Sequence, residues 1–314
     1  PTILKIINDG GSCILMSHLG RPKGEDQEFS LRHLVEEIEK TLGLKVNFVS
    51  QSVGEKASKA ANEIRPKEVL LLENLRFHSE ETSGDENFAK RLASHADCYV
   101  NDAFGTAHRA HASTAVIAKY FSNKKFAGHL LLKEVSSIKR VMDSGEKPVL
   151  GILGGAKVSS KITIIDNIID KVDRLIIGGG MAFTFVKALG GNIGNSICEN
   201  DKTDLALSIL EKAKEKNVSI HLPLDVVCGD GFSNEANIIE SEINNIPEGW
   251  EGMDAGPKSR ALFDKIINES KTILWNGPVG VFELSKFSKG TIAIGESISR
   301  STKNGAFSLI GGGD

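Results

Sequence analysis

No run of 18 apolar residues occurs in this sequence, so no α-helical membrane span is expected. Its four cysteines, Cys13, Cys98, Cys198 and Cys228, form no CxxC pair. Scattered single thiols at that frequency fit a reducing cytosol, and the expected location is cytoplasmic. No signal-peptide pattern is visible. Neither sign of charge dominates: 38 Lys and Arg against 41 Asp and Glu leave a net charge of −3, which argues against a general affinity for nucleic acid or acidic membranes. Any anion chemistry therefore has to come from locally placed cations. Two nucleotide motifs are missing as well, the GxxxxGK(S/T) phosphate loop and the GxGxxG dinucleotide fingerprint.

What is present is a soluble, globular composition, 40% hydrophobic and 25% charged. At 314 residues the chain is too long for one ordinary core and suggests two domains. In the second half four short apolar runs end in glycine-rich turns. Val149–Leu153 meets Gly154-Gly155-Ala156-Lys157, and residues 175–177 meet Gly178-Gly179-Gly180. Residues 272–275 meet Asn276-Gly277-Pro278-Val279-Gly280, and residues 308–310 meet Gly311-Gly312-Gly313-Asp314. Such runs read as strands of a parallel sheet, with the turns at their carboxyl ends, where open α/β sheets bind ligands. Glycine lets a phosphate approach the backbone, and a helix start behind it adds free N–H groups. The leading expectation is a nucleotide site.

The first half has the same rhythm. Residues 12–16, Val46–Val49, Val69–Leu72 and 98–100 read as strands. A helix is expected over 31–42, with Ser30 as its cap, Leu31, Leu34, Val35 and Ile38 as its apolar stripe, and Gly43 after its end; another is expected over 85–96. Alternating strands and helices imply parallel sheets with helical crossovers. The expected fold is therefore α/β, two doubly wound Rossmann-like domains. Residues 1–131 would form the first, 132–148 an interdomain helix and hinge, and 149–314 the second. Residues 229–257 lack periodicity and read as a long connection. Thr2–Asn8 reads as the tail of a helix, and Asp314 stands where a helix should begin, so segments are expected beyond both ends.

Lys157 and Lys161 are four apart in what reads as a helix following Gly155, with Val158, Ile162, Ile165, Ile169 and Val172 as its stripe. Two like charges at that spacing, near the positive end of a helix dipole, are unfavourable until a polyphosphate binds. The alternative is a pair of merely solvated lysines. In the first half the strand ends carry His18 and Arg21, then Arg76 and His78, then His108, Arg109 and His111. Arginine offers a planar fork suited to carboxylate and phosphate. Three such loops at one sheet edge would make a pocket for a small, multiply charged anion. Asp102 is expected to orient Arg109 or to cap the following segment.

These strings together resemble phosphoglycerate kinases. The matching pieces are SHLGRPKG at 17–24, LLENLRFH at 71–78, VNDAFGTAHRAH at 100–111, LGGAKV at 153–158, IIGGGMAFTF at 176–185, WNGPVGVFE at 275–283 and GGGD at 311–314. The resemblance implies a monomeric, cytoplasmic, two-domain glycolytic kinase. It would move a phosphoryl group between 1,3-bisphosphoglycerate and MgADP, giving 3-phosphoglycerate and MgATP, with hinge closure bringing the substrates together. Neither nucleic acid nor membrane would be a partner. By that resemblance His18, Leu19, Gly20, Arg21, Arg76 and Arg109 would hold the phosphoglycerate. Lys157, Lys161 and Arg109 would be the catalytic cations. Gly155, Gly179, Gly180, Phe232, Gly256, Asn276, Pro278, Glu283, Gly312 and Gly313 would meet the nucleotide, and Asp314 would ligate Mg²⁺.

The family's opening segment, which brings a catalytic arginine, would precede Pro1, and a helix and a C-terminal stretch would follow Asp314. A catalytically impaired nucleotide-binding fragment is therefore the alternative expectation. A Rossmann oxidoreductase using NAD is the other rival, although it lacks its glycine fingerprint and has no use for the paired lysines.

Overall fold

The computed structural model describes residues 1–311; the expected contacts of Gly312, Gly313 and Asp314 lie outside the described residues. The chain divides into two compact units, Pro1–Ser136 and Ser137–Asp314.

The first unit runs α1 (Thr2–Asn8), β1 (Cys13–Leu15), α2 (Val35–Leu42), β2 (Val46–Val49), α3 (Glu55–Glu63) and β3 (Val69–Leu72). It continues through α4 (Ser79–Ser83), α5 (Glu86–Ala93), β4 (Tyr99–Asn101) and β5 (Lys125–Ala127) into α6 (His129–Ser144), inside which the two units divide. Strands β1, β3 and β2 form a parallel sheet in that order. All four residues of β3 are buried, as a strand covered on both faces requires. Leu70 and Leu72 pack with Phe88 and Ile117 on one face, while Val69 and Leu71 pack with Leu31 and Val46 on the other.

Two expectations need correction here. Residues 31–42 are not one helix: Leu31–Leu34 is a 3₁₀ turn, capped by the Ser30 hydroxyl accepting from the Arg32 N–H at 3.2 Å, and α2 starts only at Val35. The change of pitch breaks the single apolar stripe, and Leu34 is 39% exposed. Nor do the three cationic loops leave one sheet, because β4 hydrogen-bonds to β5 in a separate parallel pair.

The second unit contains β6 (Val149–Leu153), α7 (Ile162–Ile168), β7 (Arg174–Ile177), α8 (Met181–Ala188), β8 (Asn192–Ile193), α9 (Thr203–Glu215) and β9 (Ser219–His221). Then come β10 (Asp225–Gly229), β11 (Ile238–Glu242), β12 (Asn245–Ile246), β13 (Glu251–Ala255), α10 (Pro257–Asn268), β14 (Thr272–Asn276), α11 (Lys289–Lys303) and β15 (Phe307–Gly311). The main sheet is parallel, in the order β15-β14-β6-β7-β9. Side chains alternate across it. Val149, Leu153, Leu175 and Ile177 pack with residues of α7 to α9, whereas Leu150, Ile152, Ile176 and Ile273 pack with residues of α10 and α11. Helices thus cover both faces, and each fully buried Leu or Ile contributes about 1.5–3 kcal/mol.

Residues 229–257 are not one irregular connection. Strands β11 and β13 flank β10 antiparallel, and β12 pairs with β8. Strand β11 reads Ile-Ile-Glu-Ser-Glu with no fully buried position, too little apolar signal to announce a strand; its order comes from the ladder to β10.

Candidate active site

In the first unit the loops after β1 and β3 are tied together by Asn74, which is fully buried. Its amide nitrogen donates to the Leu19 carbonyl at 2.9 Å and the Phe29 carbonyl at 2.8 Å, and its oxygen accepts from the Leu19 and Arg76 N–H groups. Arg76 donates through Nη1 to the Gly20 carbonyl at 2.5 Å, while its buried Nε has no partner. Burial, then the charges of Arg109 and Arg21, lower the Arg76 pKa, with Glu81 acting the other way. Burial, followed by Arg76, His111 and Arg109, likewise lowers that of His18. The third loop therefore reaches the same place although its strand belongs to another pair.

Carboxylates in this region serve the scaffold. Glu73 accepts from the Ser30 hydroxyl at 2.8 Å and the Leu31 N–H at 2.9 Å. Glu81, 1% exposed, accepts from the Ser113 hydroxyl and N–H, and His111 Nδ1 lies 3.8 Å from it. Asp102 does not orient Arg109. Its Oδ1 accepts from Leu130 and Leu131 N–H at the start of α6, and its Oδ2 from the Thr2 hydroxyl. The result is a cationic cluster of His18, Arg21, Arg76 and Arg109 whose own acids are engaged elsewhere.

In the second unit the parallel register puts Leu153 beside both Ile177 and Asn276, and Asn276 beside Gly311. The turns at 154–157, 178–180 and 276–280 thus leave one sheet edge, where β15 also ends at Gly311. These three interlock by backbone. A Cβ on Gly154 would stand 2.0 Å from the Pro278 carbonyl, and one on Gly179 would stand 2.8 Å from the Gly155 nitrogen. Gly179 also has φ +67°, so two demands for glycine coincide there. Only the turn at Gly178–180 has a helix directly behind it, with Gly180 as the cap of α8.

The lysine segment departs from expectation. Helix α7 begins at Ile162, so Lys157 and Val158 lie outside it and Lys161 is its cap residue. The two lysines are not neighbours on a helix face. Lys157 is exposed, while Lys161 is half-buried, and its Nζ is hydrogen-bonded to Asn276 Oδ1. Burial lowers the Lys161 pKa. Its partner is a neutral amide rather than a carboxylate, so among the described residues an ammonium in a partly desolvated site has no counter-charge bonded to it.

Beside these turns is a cavity of about 340 Å³, mostly apolar in lining. Such a cleft is of a size to take a drug-sized ligand. Gly155, Gly179, Gly180, Phe232, Pro278 and Glu283 line it. Gly256 follows the lining residue Ala255, caps α10, and packs its Cα against the Asp225 carboxylate. The sequence reading passed over Phe183, Ile197, Met253 and Asp254, which also line the cavity. The first three look like ordinary core residues, and Asp254 sits in a segment without periodicity, so no local signal marks them.

The fold is that of a two-unit α/β protein, with a cluster of basic side chains in the first unit and a glycine-edged cleft in the second. A sequence profile described as phosphoglycerate kinase matches residues 1–314. The phosphoglycerate kinase of Porphyromonas gingivalis is 50% identical over 338 residues, covering 100% of this chain and 81% of the relative. The cytosolic phosphoglycerate kinase of Nicotiana tabacum is 48% identical, covering 100% of this chain and 78% of the relative. The solved structure of phosphoglycerate kinase from Coxiella burnetii matches with a TM-score of 0.85 at 41% identity, covering 100% of this chain and 78% of that one. The chain belongs to the phosphoglycerate kinase family, whose activity is phosphoryl transfer between 1,3-bisphosphoglycerate and ADP. These relatives favour the kinase over the impaired nucleotide-binding fragment.

Proposed function

We propose that His18, Arg21, Arg76 and Arg109, with the Leu19–Gly20 backbone, hold the phosphoglycerate. In the same reading the cleft edged by Gly155, Gly179, Gly180, Phe232, Pro278 and Glu283 holds ADP or ATP, and Lys157, Lys161 and Asn276 meet its phosphates. The supporting observation is the Lys161–Asn276 pair at the edge shared by β6 and β14: a desolvated cation whose bonded partner is uncharged. Gly256, next to Ala255 of the cleft lining, meets the nucleotide from the start of α10 in the same reading.

The chemistry needs no general base. In one direction the nucleophile is an ADP phosphate oxygen, in the other a glycerate carboxylate, and neither carries a proton to remove. Catalysis then rests on alignment and on neutralising charge over the oxygens of the group in transit. Lys161 and Lys157, with the backbone N–H groups of the glycine turns, suit that work.

Magnesium enters in this reading as part of the substrate. Among the described residues no cluster of three His, Cys, Asp or Glu is placed to hold a metal ion. That fits an ion carried on nucleotide phosphates with one or two protein carboxylates, of which Asp314 is the proposed one. The two substrates would be brought together by hinge closure around residues 132–148. We also assign a monomeric, cytoplasmic enzyme. A cytosolic relative supports the location, and no helix among the described residues is long and apolar enough to cross a membrane.

The test is ATP consumption with 3-phosphoglycerate, coupled to NADH oxidation, on protein of verified mass. Turnover that depends on both substrates is expected, and its absence would overturn the reading. Scattering with both substrates bound should show a smaller radius of gyration; an unchanged radius would sink the hinge.

A further inference from the structure

The segment carrying Lys157 and Lys161 is not helical before Ile162, so no i→i−4 ladder sets its shape. Two local bonds contribute: the Lys161 N–H donates to the Val158 carbonyl at 2.8 Å, and the Ser160 hydroxyl to the Lys157 carbonyl at 2.7 Å. Further hydrogen bonds come from Glu199, 40 residues on from Ser159. Its Oε2 accepts the Ser159 N–H at 2.9 Å and its Oε1 accepts the Ser159 hydroxyl. Glu199 is in turn anchored. Its own N–H donates at 3.2 Å to the hydroxyl of Thr184, which is 1% exposed on α8, the helix that starts at the second glycine turn.

One carboxylate thus ties the lysine segment to a rigid element of the neighbouring glycine turn. Burial pushes the Glu199 pKa up, but the Ser159 hydroxyl and the Ser159 and Val158 N–H groups together bring it below the usual range, as a fully engaged acceptor requires.

We propose that Glu199 is a positioning residue for phosphoryl transfer, clamping Ser159 so that Lys157 and Lys161 on either side of it reach the group in flight. The inference rests on the roles proposed above for the two lysines. Its mechanistic content is that misplacement by about 1 Å at a reacting centre can cost on the order of a hundredfold in rate.

The test is a double-mutant cycle read in kcat and in KM for MgADP. Glu199→Ala should lower kcat by about tenfold to a hundredfold with nucleotide KM changed by less than about threefold. Glu199→Gln, which keeps one acceptor oxygen in the same shape, should fall between wild type and Glu199→Ala. In a Lys161→Ala background the Glu199→Ala change should cost less than about twofold more, since the misplaced group is already gone. If the two losses multiply in full, or if folded Glu199→Ala keeps its kcat, the clamp is overturned. Should Glu199→Ala fail to fold, the same cycle with Glu199→Gln decides. An unchanged kcat in Lys161→Ala alone would instead sink the lysine assignment, and this inference with it.

Discussion

Lys161 Nζ donates to Asn276 Oδ1, joining the first glycine-rich turn of the second unit to the third across 115 positions of sequence. The pairing of Leu153 with Asn276 in adjacent parallel strands puts both turns at one edge. A cation held this way is available to charge that develops during transfer. Lys161→Ala is expected to lower kcat by about a hundredfold or more while nucleotide KM changes by less than about threefold. Steady-state kinetics in both directions check this, and a change confined to KM would refute it.

Arg76 and Arg109 repel one another in the free protein, and Arg76 is further burdened by burial and by Arg21. A phosphate and carboxylate bound there, as proposed, would relieve that repulsion. Each charge-assisted bond is worth about 1.5–3 kcal/mol, so Arg109→Ala should raise KM for 3-phosphoglycerate roughly 10- to 150-fold and leave KM for ATP nearly unchanged. Arg109→Lys should recover only part, because a point charge does not reproduce the bidentate fork.

His18 is kept neutral at neutral pH by burial and by the neighbouring Arg76, His111 and Arg109. An anion placed among these groups favours the imidazolium, so its pKa must rise on binding and binding must take up protons. An NMR titration of the His18 ring with and without 3-phosphoglycerate should show the midpoint move upward. A midpoint that stays put would remove His18 from the anion site.

Asp254 lines the cleft at 3% exposure. Its Oδ2 accepts the Gly290 N–H at 2.8 Å, and its Oδ1 has no partner. Burial raises its pKa from 3.8 to about 6, against the N–H groups of Gly290 and Ala255 and the charge of Arg260. An acid with a raised folded pKa binds its proton more tightly in the folded state. Its contribution to stability is therefore full below the unfolded value and is lost as pH rises through the folded one, by about 3 kcal/mol in all. Asp254→Asn abolishes that titration, so its stability relative to wild type should improve between about pH 4 and pH 7. Denaturant melts at several pH values would show this, and a flat difference would exclude it.

The strands and turns of this protein are legible in the order of its residues. An apolar run such as Val149–Leu153 followed by two glycines carries its own instructions, because strand periodicity and turn chemistry act within a few positions. The basic side chains are legible in part for the same reason: His18 and Arg76 follow strand ends of one parallel sheet, which brings them together, whereas Arg109 follows a strand of another pair and its place is not legible. The cleft wall of Ile197 and Met253 is not legible either, since nothing nearby distinguishes it from core.

The lysine segment shows the limit most clearly. Val158, Ile165, Ile169 and Val172 are all buried, as a single helical stripe predicts, yet the chain is not helical until Ile162. Apolar spacing reports which side chains go inside, not which donors the backbone bonds. Here Glu199 takes the Ser159 N–H and hydroxyl, and a partner 40 positions away leaves no mark on local periodicity. The same holds for Asn74, whose amide joins two loops 55 residues apart, and for β11, whose ladder to β10 orders a stretch with no pattern of its own. The sequence by itself determined the parallel α/β scaffold, the glycine-edged strand ends and the cations set upon them, because those follow from short-range sterics and apolar burial. Only the tertiary structure decided where the loops and lysines stand, because that depends on hydrogen-bond partners supplied by remote segments.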